Sequence, residues 1–131
     1  MEYEEALKSI DGEIEYFNLD PDFKVKENLL DAMKEYHDFM VICNPNNPTG
    51  GVVEKCELAK LIEKNPQVCF VIDQSYEFFT LRPLFTASEA VLYPNVLLLH
   101  SMTKRYAMPG LRLGYVTGNV ALLNRLRSNR M

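Results

Sequence analysis

Lys104 stands four residues past an apolar run, Val96–His100, with hydroxyls three and one residues ahead of it at Ser101 and Thr103. An amine so placed can serve as a nucleophile toward a carbonyl. It must be partly neutral to do so, which burial and a nearby cation can arrange. The competing reading is a solvated surface lysine, the commoner state for the residue type. Ser101-x-x-Lys104 also fits the SxxK pattern of serine acylases, but the SDN and KTG companions of that chemistry do not occur in the chain. Arg112 follows Lys104 by eight residues, after Pro109-Gly110. A guanidinium fork together with two hydroxyls is a phosphate-binding set, whereas an isolated arginine is a solvated one.

A second group of residues lies upstream. Asp73 closes the apolar run Val68–Ile72. A carboxylate there is either a helix cap or a charge facing a ligand. In the second case it suits chemistry that keeps a pyridine nitrogen protonated, so that the ring acts as an electron sink. Tyr76, three residues on, can donate to a ring oxygen or serve as an amphipathic core tyrosine. Asn44–Gly51 is rich in turn formers and needs no function as a turn. As a site element it presents the Asn47 amide just beyond a strand end.

The elements that must position these groups follow from periodicity. Helices are predicted over Glu2–Ile10, Lys24–Tyr36, Glu54–Lys64 and Val120–Arg127. Strands are predicted over Glu13–Phe17, as an exposed or edge strand, and over Phe39–Cys43, Val68–Ile72, Val96–His100 and Leu113–Thr117. Asn18–Asp22 reads as a turn, and Leu81–Pro94, with two prolines, as a loop holding a short helix. Apolar strands alternating with helices predict an α/β fold: three αβα layers around a mostly parallel sheet covered on both faces. Ligands of such sheets sit beyond the carboxyl ends of the strands, where Asn47, Asp73, Tyr76, Ser101, Thr103 and Lys104 all fall.

Composition narrows the function classes. The chain has 131 residues, 47% apolar and 24% charged, with a net charge of −4. That is one globular domain with no basic patch for nucleic acid or an anionic membrane surface. No apolar run reaches the length of a membrane span. The acidic start Met1-Glu2-Tyr3-Glu4-Glu5 is unlike a signal peptide. Cys43, Cys56 and Cys69 form no CxxC pair. Free thiols, a cytoplasmic setting and no metal site are therefore expected.

Three segments, in this order and spacing, resemble the class I/II aminotransferases of pyridoxal-phosphate fold type I. They are Asn44-Pro-Asn-Asn-Pro-Thr-Gly50, Asp73-Gln-Ser-Tyr76 and Ser101-Met-Thr-Lys-Arg-Tyr-Ala-Met-Pro-Gly-Leu-Arg-Leu-Gly-Tyr115. The branch resembled is that of histidinol-phosphate aminotransferase and threonine-phosphate decarboxylase. The last segment is particularly similar to the decarboxylase, an enzyme of cobalamin side-chain synthesis. The resemblance implies pyridoxal 5'-phosphate as cofactor, held by Lys104 as a Schiff base, with Lys104 then moving the proton at the substrate Cα. It implies Asp73 on the pyridinium nitrogen, Tyr76 and Asn47 on the ring oxygen, and Ser101, Thr103 and Arg112 on the phosphate. It further implies a small amino-acid or amino-phosphate substrate and a homodimer for the full-length protein. Gln74-Ser75 departs from the family's usual Glu-Ala and loosens the subfamily assignment.

Residues 1–131 are expected to be part of a cofactor-binding large domain, without the N-terminal segment and small C-terminal domain of longer relatives. Transamination is the preferred reaction, with threonine-phosphate decarboxylation as the alternative. A catalytically inactive truncated fragment is the reading from another class. A nucleotide-binding doubly wound domain ranks last, since neither GxGxxG nor a Walker sequence occurs.

Overall fold

The computed structural model describes residues 2–18, 33 and 36–129. Helix α1 (Glu2–Lys8) opens the chain. Strand β1 (Phe39–Cys43), helix α2 (Lys55–Lys64), strand β2 (Cys69–Asp73) and a 3₁₀ turn at Glu77–Phe79 follow. Next come helix α3 (Ala87–Ala90), strand β3 (Val96–Ser101), helix α4 (Met102–Tyr106) and a second 3₁₀ turn at Pro109–Leu111. Strand β4 (Gly114–Gly118) and helix α5 (Val120–Ser128) end the described chain.

The strands form one sheet in the order β1-β2-β3-β4. The first two pairings are parallel, with Cys43 level with Asp73 and Asp73 level with Leu99. The third pairing is antiparallel, setting Ser101 opposite Gly114 and His100 opposite Tyr115. The mostly parallel α/β expectation therefore holds, with one reversed edge strand.

Side chains alternate across the sheet. Phe70 and Ile72 of β2 and Val96 and Leu98 of β3 are fully buried on one face. Leu58, Leu61 and Ile62 of α2 join them, as the i, i+3, i+4 spacing of an amphipathic helix requires. Phe85 and Ala90 complete this core. Asp73 belongs to the opposite face with Cys69 and Val71, which is only half-buried. At Gly118 a β-carbon would lie 2.7 Å from the Val96 carbonyl oxygen, so only glycine lets β4 approach β3 this closely.

One expectation needs correction. Residues 12–18 make no sheet pairing among the described residues, so Glu13–Phe17 is not a strand. Tyr16 is 61% exposed and Phe17 36%, so the alternation lacks the buried side that a strand needs. Between Ser101 and Gly114 the chain forms α4 and then the 3₁₀ turn that contains Pro109-Gly110. The proposed helix Lys24–Tyr36 and turn Asn18–Asp22 lie largely outside the described residues; Met33 packs against the core.

Helix α3 is held by a capping box. The Glu89 backbone N–H donates to Thr86 Oγ1 at 3.3 Å, and Thr86 N–H donates to Glu89 Oε2 at 2.9 Å. Lys55 Nζ sits 2.5 Å from Glu89 Oε1, tying α2 to α3. The Lys55 ammonium, then the Thr86 N–H and hydroxyl, depress the Glu89 carboxyl from 4.5 to about 2. A depressed carboxylate stabilises the fold fully above its unfolded value, and that contribution disappears as pH falls through the folded value. Glu89→Gln is therefore expected to flatten the loss of stability between pH 4.5 and about 2 in acid titrations followed by circular dichroism. Both partners are more than a third exposed, so added salt should shrink the difference. Thr86→Ala should cost about 1 kcal/mol at neutral pH, and less as pH falls through the window, because its hydroxyl also donates to the Glu89 carboxylate.

Candidate active site

The carboxyl ends of β1, β2 and β3 form the candidate site. Asp73 is the last residue of β2, half-buried and fixed by two donors. The Ser75 backbone N–H donates to Oδ1 at 2.8 Å. The Tyr3 hydroxyl, 70 residues upstream in sequence, donates to Oδ2. The Asp73 carbonyl also accepts the Asn44 N–H at 2.9 Å, which clamps the end of β1 to the end of β2. A carboxylate held by two hydrogen bonds has one orientation and remains an acceptor.

Tyr76 lies half-buried between β2 and the first 3₁₀ turn. The Lys104 Nζ lies 5.2 Å from the centroid of its ring, within cation–π range. Two residues that the sequence separates by 28 positions thus meet beyond neighbouring strands. Lys104 is exposed on α4. Ser101 is the residue before that helix and Thr103 its second residue, both half-buried. Neither hydroxyl takes a hydrogen-bond partner among the described residues. Arg112 is exposed, and it has φ of 48°, as Ala107 has φ of 49°. Two non-glycine residues in the left-handed region cost about 1 kcal/mol or more each, a strain that packed structure retains chiefly at functional turns.

The Asn44–Gly51 loop is built by its own side chains. Asn44, buried, donates from Nδ2 to the Val53 carbonyl at 3.2 Å and accepts the Val53 N–H at 2.9 Å. Asn46 donates to Thr49 Oγ1 at 2.8 Å. Asn47 is exposed at the tip, next to a cis Asn47–Pro48 bond. Cys43 Sγ donates to the Pro45 carbonyl at 3.3 Å. Burial first, and the nearby Asp73 charge to a smaller extent, raise the Cys43 thiol above its ordinary value and keep it protonated. All three cysteines are free thiols.

The structure therefore brings Asp73, Tyr76 and Lys104 to adjoining strand ends and puts Ser101 and Thr103 at the start of α4. Asn47 and Arg112 lie on exposed loops at the ends of β1 and before β4. Sequence reasoning missed Tyr3. It sits in a segment whose pattern signals only a short helix, and nothing local marks its long-range partner.

The whole chain, residues 1–131, matches the family of class I and II aminotransferases. The chain belongs to that family. As an aminotransferase-family chain it is 35% identical over 128 residues to a histidinol-phosphate aminotransferase of Clostridium novyi (strain NT), covering 95% of this chain and 35% of the relative. The crystal structure of L-threonine-O-3-phosphate decarboxylase from Porphyromonas gingivalis superposes with a TM-score of 0.86 at 30% identity, over 98% of this chain and 38% of that one. A histidinol-phosphate aminotransferase from Sinorhizobium meliloti, in complex with pyridoxal-5'-phosphate, shares the fold with a TM-score of 0.87 at 20% identity, over 98% of this chain and 36% of that one. This family member thus spans about a third of the relatives it matches. The class is one of pyridoxal-phosphate enzymes acting on small amino-acid substrates. Among the described residues no helix is long and apolar enough to cross a membrane.

Proposed function

We propose that the chain is the cofactor-holding part of the large domain of a pyridoxal-phosphate-dependent aminotransferase, acting on a phosphorylated amino acid or amine. The observation that carries this reading is the meeting of Lys104 with Tyr76, three residues beyond a carboxylate fixed by Ser75 and Tyr3. The donor set fits pyridoxal phosphate. A doubly anchored carboxylate suits a pyridinium nitrogen, a lysine amine suits the aldehyde, and two hydroxyls without a partner among the described residues, with an arginine, suit the phosphate. When bound, the cofactor supplies an electron sink for charge developing at the substrate Cα.

Each residue then has a stated task. Asp73 would face the ring nitrogen and accept a hydrogen bond from its proton. Tyr3 and Ser75 keep that carboxylate aimed. Tyr76 and Asn47 donate to the ring oxygen. Ser101, Thr103 and Arg112 orient the phosphate. Lys104 would be the amine that holds the cofactor's aldehyde, and its side chain would move the proton at the substrate Cα as a general base and acid.

The likeness to the phosphothreonine decarboxylase favours a second reading, loss of CO2 in place of amino transfer. The two are separated by supplying the full-length protein with cofactor and either histidinol phosphate plus 2-oxoglutarate or phosphothreonine. Glutamate formation without CO2 is the expected result. CO2 release from phosphothreonine alone would move the assignment to the decarboxylase, and neither product would favour a catalytically inactive piece.

A further inference from the structure

Three consecutive residues after β2 meet three residues from the end of β3 and the start of α4. Tyr76 faces Lys104 at 5.2 Å, and Phe78 carries the Arg105 guanidinium 4.0 Å from its ring centroid. Between them Glu77 Oε1 lies 3.1 Å from His100 Nδ1. The His100 side chain is only 6% exposed. Its Nε2 lies 3.1 Å from Thr117 Oγ1, and its ring stacks on Tyr115 with centroids 4.4 Å apart and planes 12° apart.

An ionised carboxylate only accepts, so Nδ1 of His100 carries a proton and donates it to Glu77. In the neutral ring Nε2 then accepts from the Thr117 hydroxyl. The imidazole is thus fixed by β4 on one side, and on the other it holds the residue next to Tyr76. A buried imidazole needs a partner at each ring nitrogen. This one spans three segments, and its two flanking contacts involve Lys104 and its neighbour.

We propose that Glu77 and His100 are positioning residues whose hydrogen bond sets the approach of Lys104 to Tyr76. The proposal rests on the reading of Lys104 as the cofactor-carrying amine. Neither residue touches the cofactor groups named above, and the pair lies on the core face of the sheet, opposite Asp73. Its effect passes through the backbone of residues 76–77 and 100–104. A misplacement of about 1 Å at a reacting amine is enough to slow reaction 10-fold or more.

The test is the rate at which pyridoxal 5'-phosphate is fixed to Lys104 by borohydride, read by peptide mass mapping. Lys60, exposed on α2 and remote from the site, is the internal standard. Relative to Lys60, labelling of Lys104 is expected to fall about 10-fold in Glu77→Ala and in His100→Phe, which keeps a ring for Tyr115. Glu77→Gln, which still accepts from Nδ1, should return to within about 2-fold of the parent, and the double variant should be no worse than either single one. A general loosening of the fold would alter both lysines and would not be rescued by glutamine. Unchanged preference for Lys104 in Glu77→Ala overturns the positioning role alone. Equal labelling of Lys104 and Lys60 in the parent overturns the assignment of Lys104 and, with it, this proposal. If His100→Phe does not fold, the Glu77 series decides by itself.

Discussion

Lys104→Ala is expected to abolish both the visible absorption that pyridoxal phosphate acquires on the full-length protein and its turnover. Deleting a residue that bonds covalently to a reacting system costs on the order of 10⁴–10⁶ in kcat. The side chain is exposed on the short helix α4, so the fold should lose no more than about 0.5 kcal/mol. What the variant forfeits locally is one contact with the Tyr76 ring. Lys104→Arg separates charge from nucleophilicity: it keeps a cation over the ring, yet a guanidinium does not deprotonate in a protein. It should therefore be as inactive as alanine. Persistence of the absorption band and of activity in Lys104→Ala would show that another amine does the work.

The second large effect is expected at Asp73. Asp73→Asn preserves shape: the amide oxygen can still accept the Ser75 N–H, and the amide group can still meet the Tyr3 hydroxyl. Only the negative charge is removed. An electrostatic partner of the reacting system is worth about 3–4 kcal/mol, so kcat/KM should fall about 10²–10³-fold while urea denaturation changes little. Asp73→Ala should add a stability cost of about 1–3 kcal/mol, because it strands the Ser75 N–H and the Tyr3 hydroxyl together. An asparagine variant within about 3-fold of the parent would remove Asp73 from the chemistry.

Much of the candidate site's layout follows from local pattern. Asp73 and Lys104 are marked by apolar strands that stop just before them, and the burial of Phe70, Ile72, Val96 and Leu98 matches that pattern. Tyr3 was not legible, since its partner is brought near by the sheet and not by any spacing. The direction of β4 was equally hidden. Residues 102–113 are long enough for a crossover to a parallel strand, yet they fold at the sheet end and return antiparallel. The Glu77–His100 pair escaped notice for the same reason, being made across two strand ends and fixed by Thr117 of that reversed strand. Glu13–Phe17 alternates like a strand but pairs with no strand among the described residues, so local pattern misled there.

The alternation along β2 makes the site sensitive to counting. Phe70 and Ile72 face the packed layer and Asp73 faces away from it. Removing or adding one residue inside Cys69–Asp73 would exchange the two sets, pushing a carboxyl group into hydrocarbon and turning Ile72 onto the half-buried face. Point substitutions at Cys69 or Val71 leave that parity intact. Libraries of variants should therefore tolerate many letters at Cys69 and Val71 and almost no change in the strand's length.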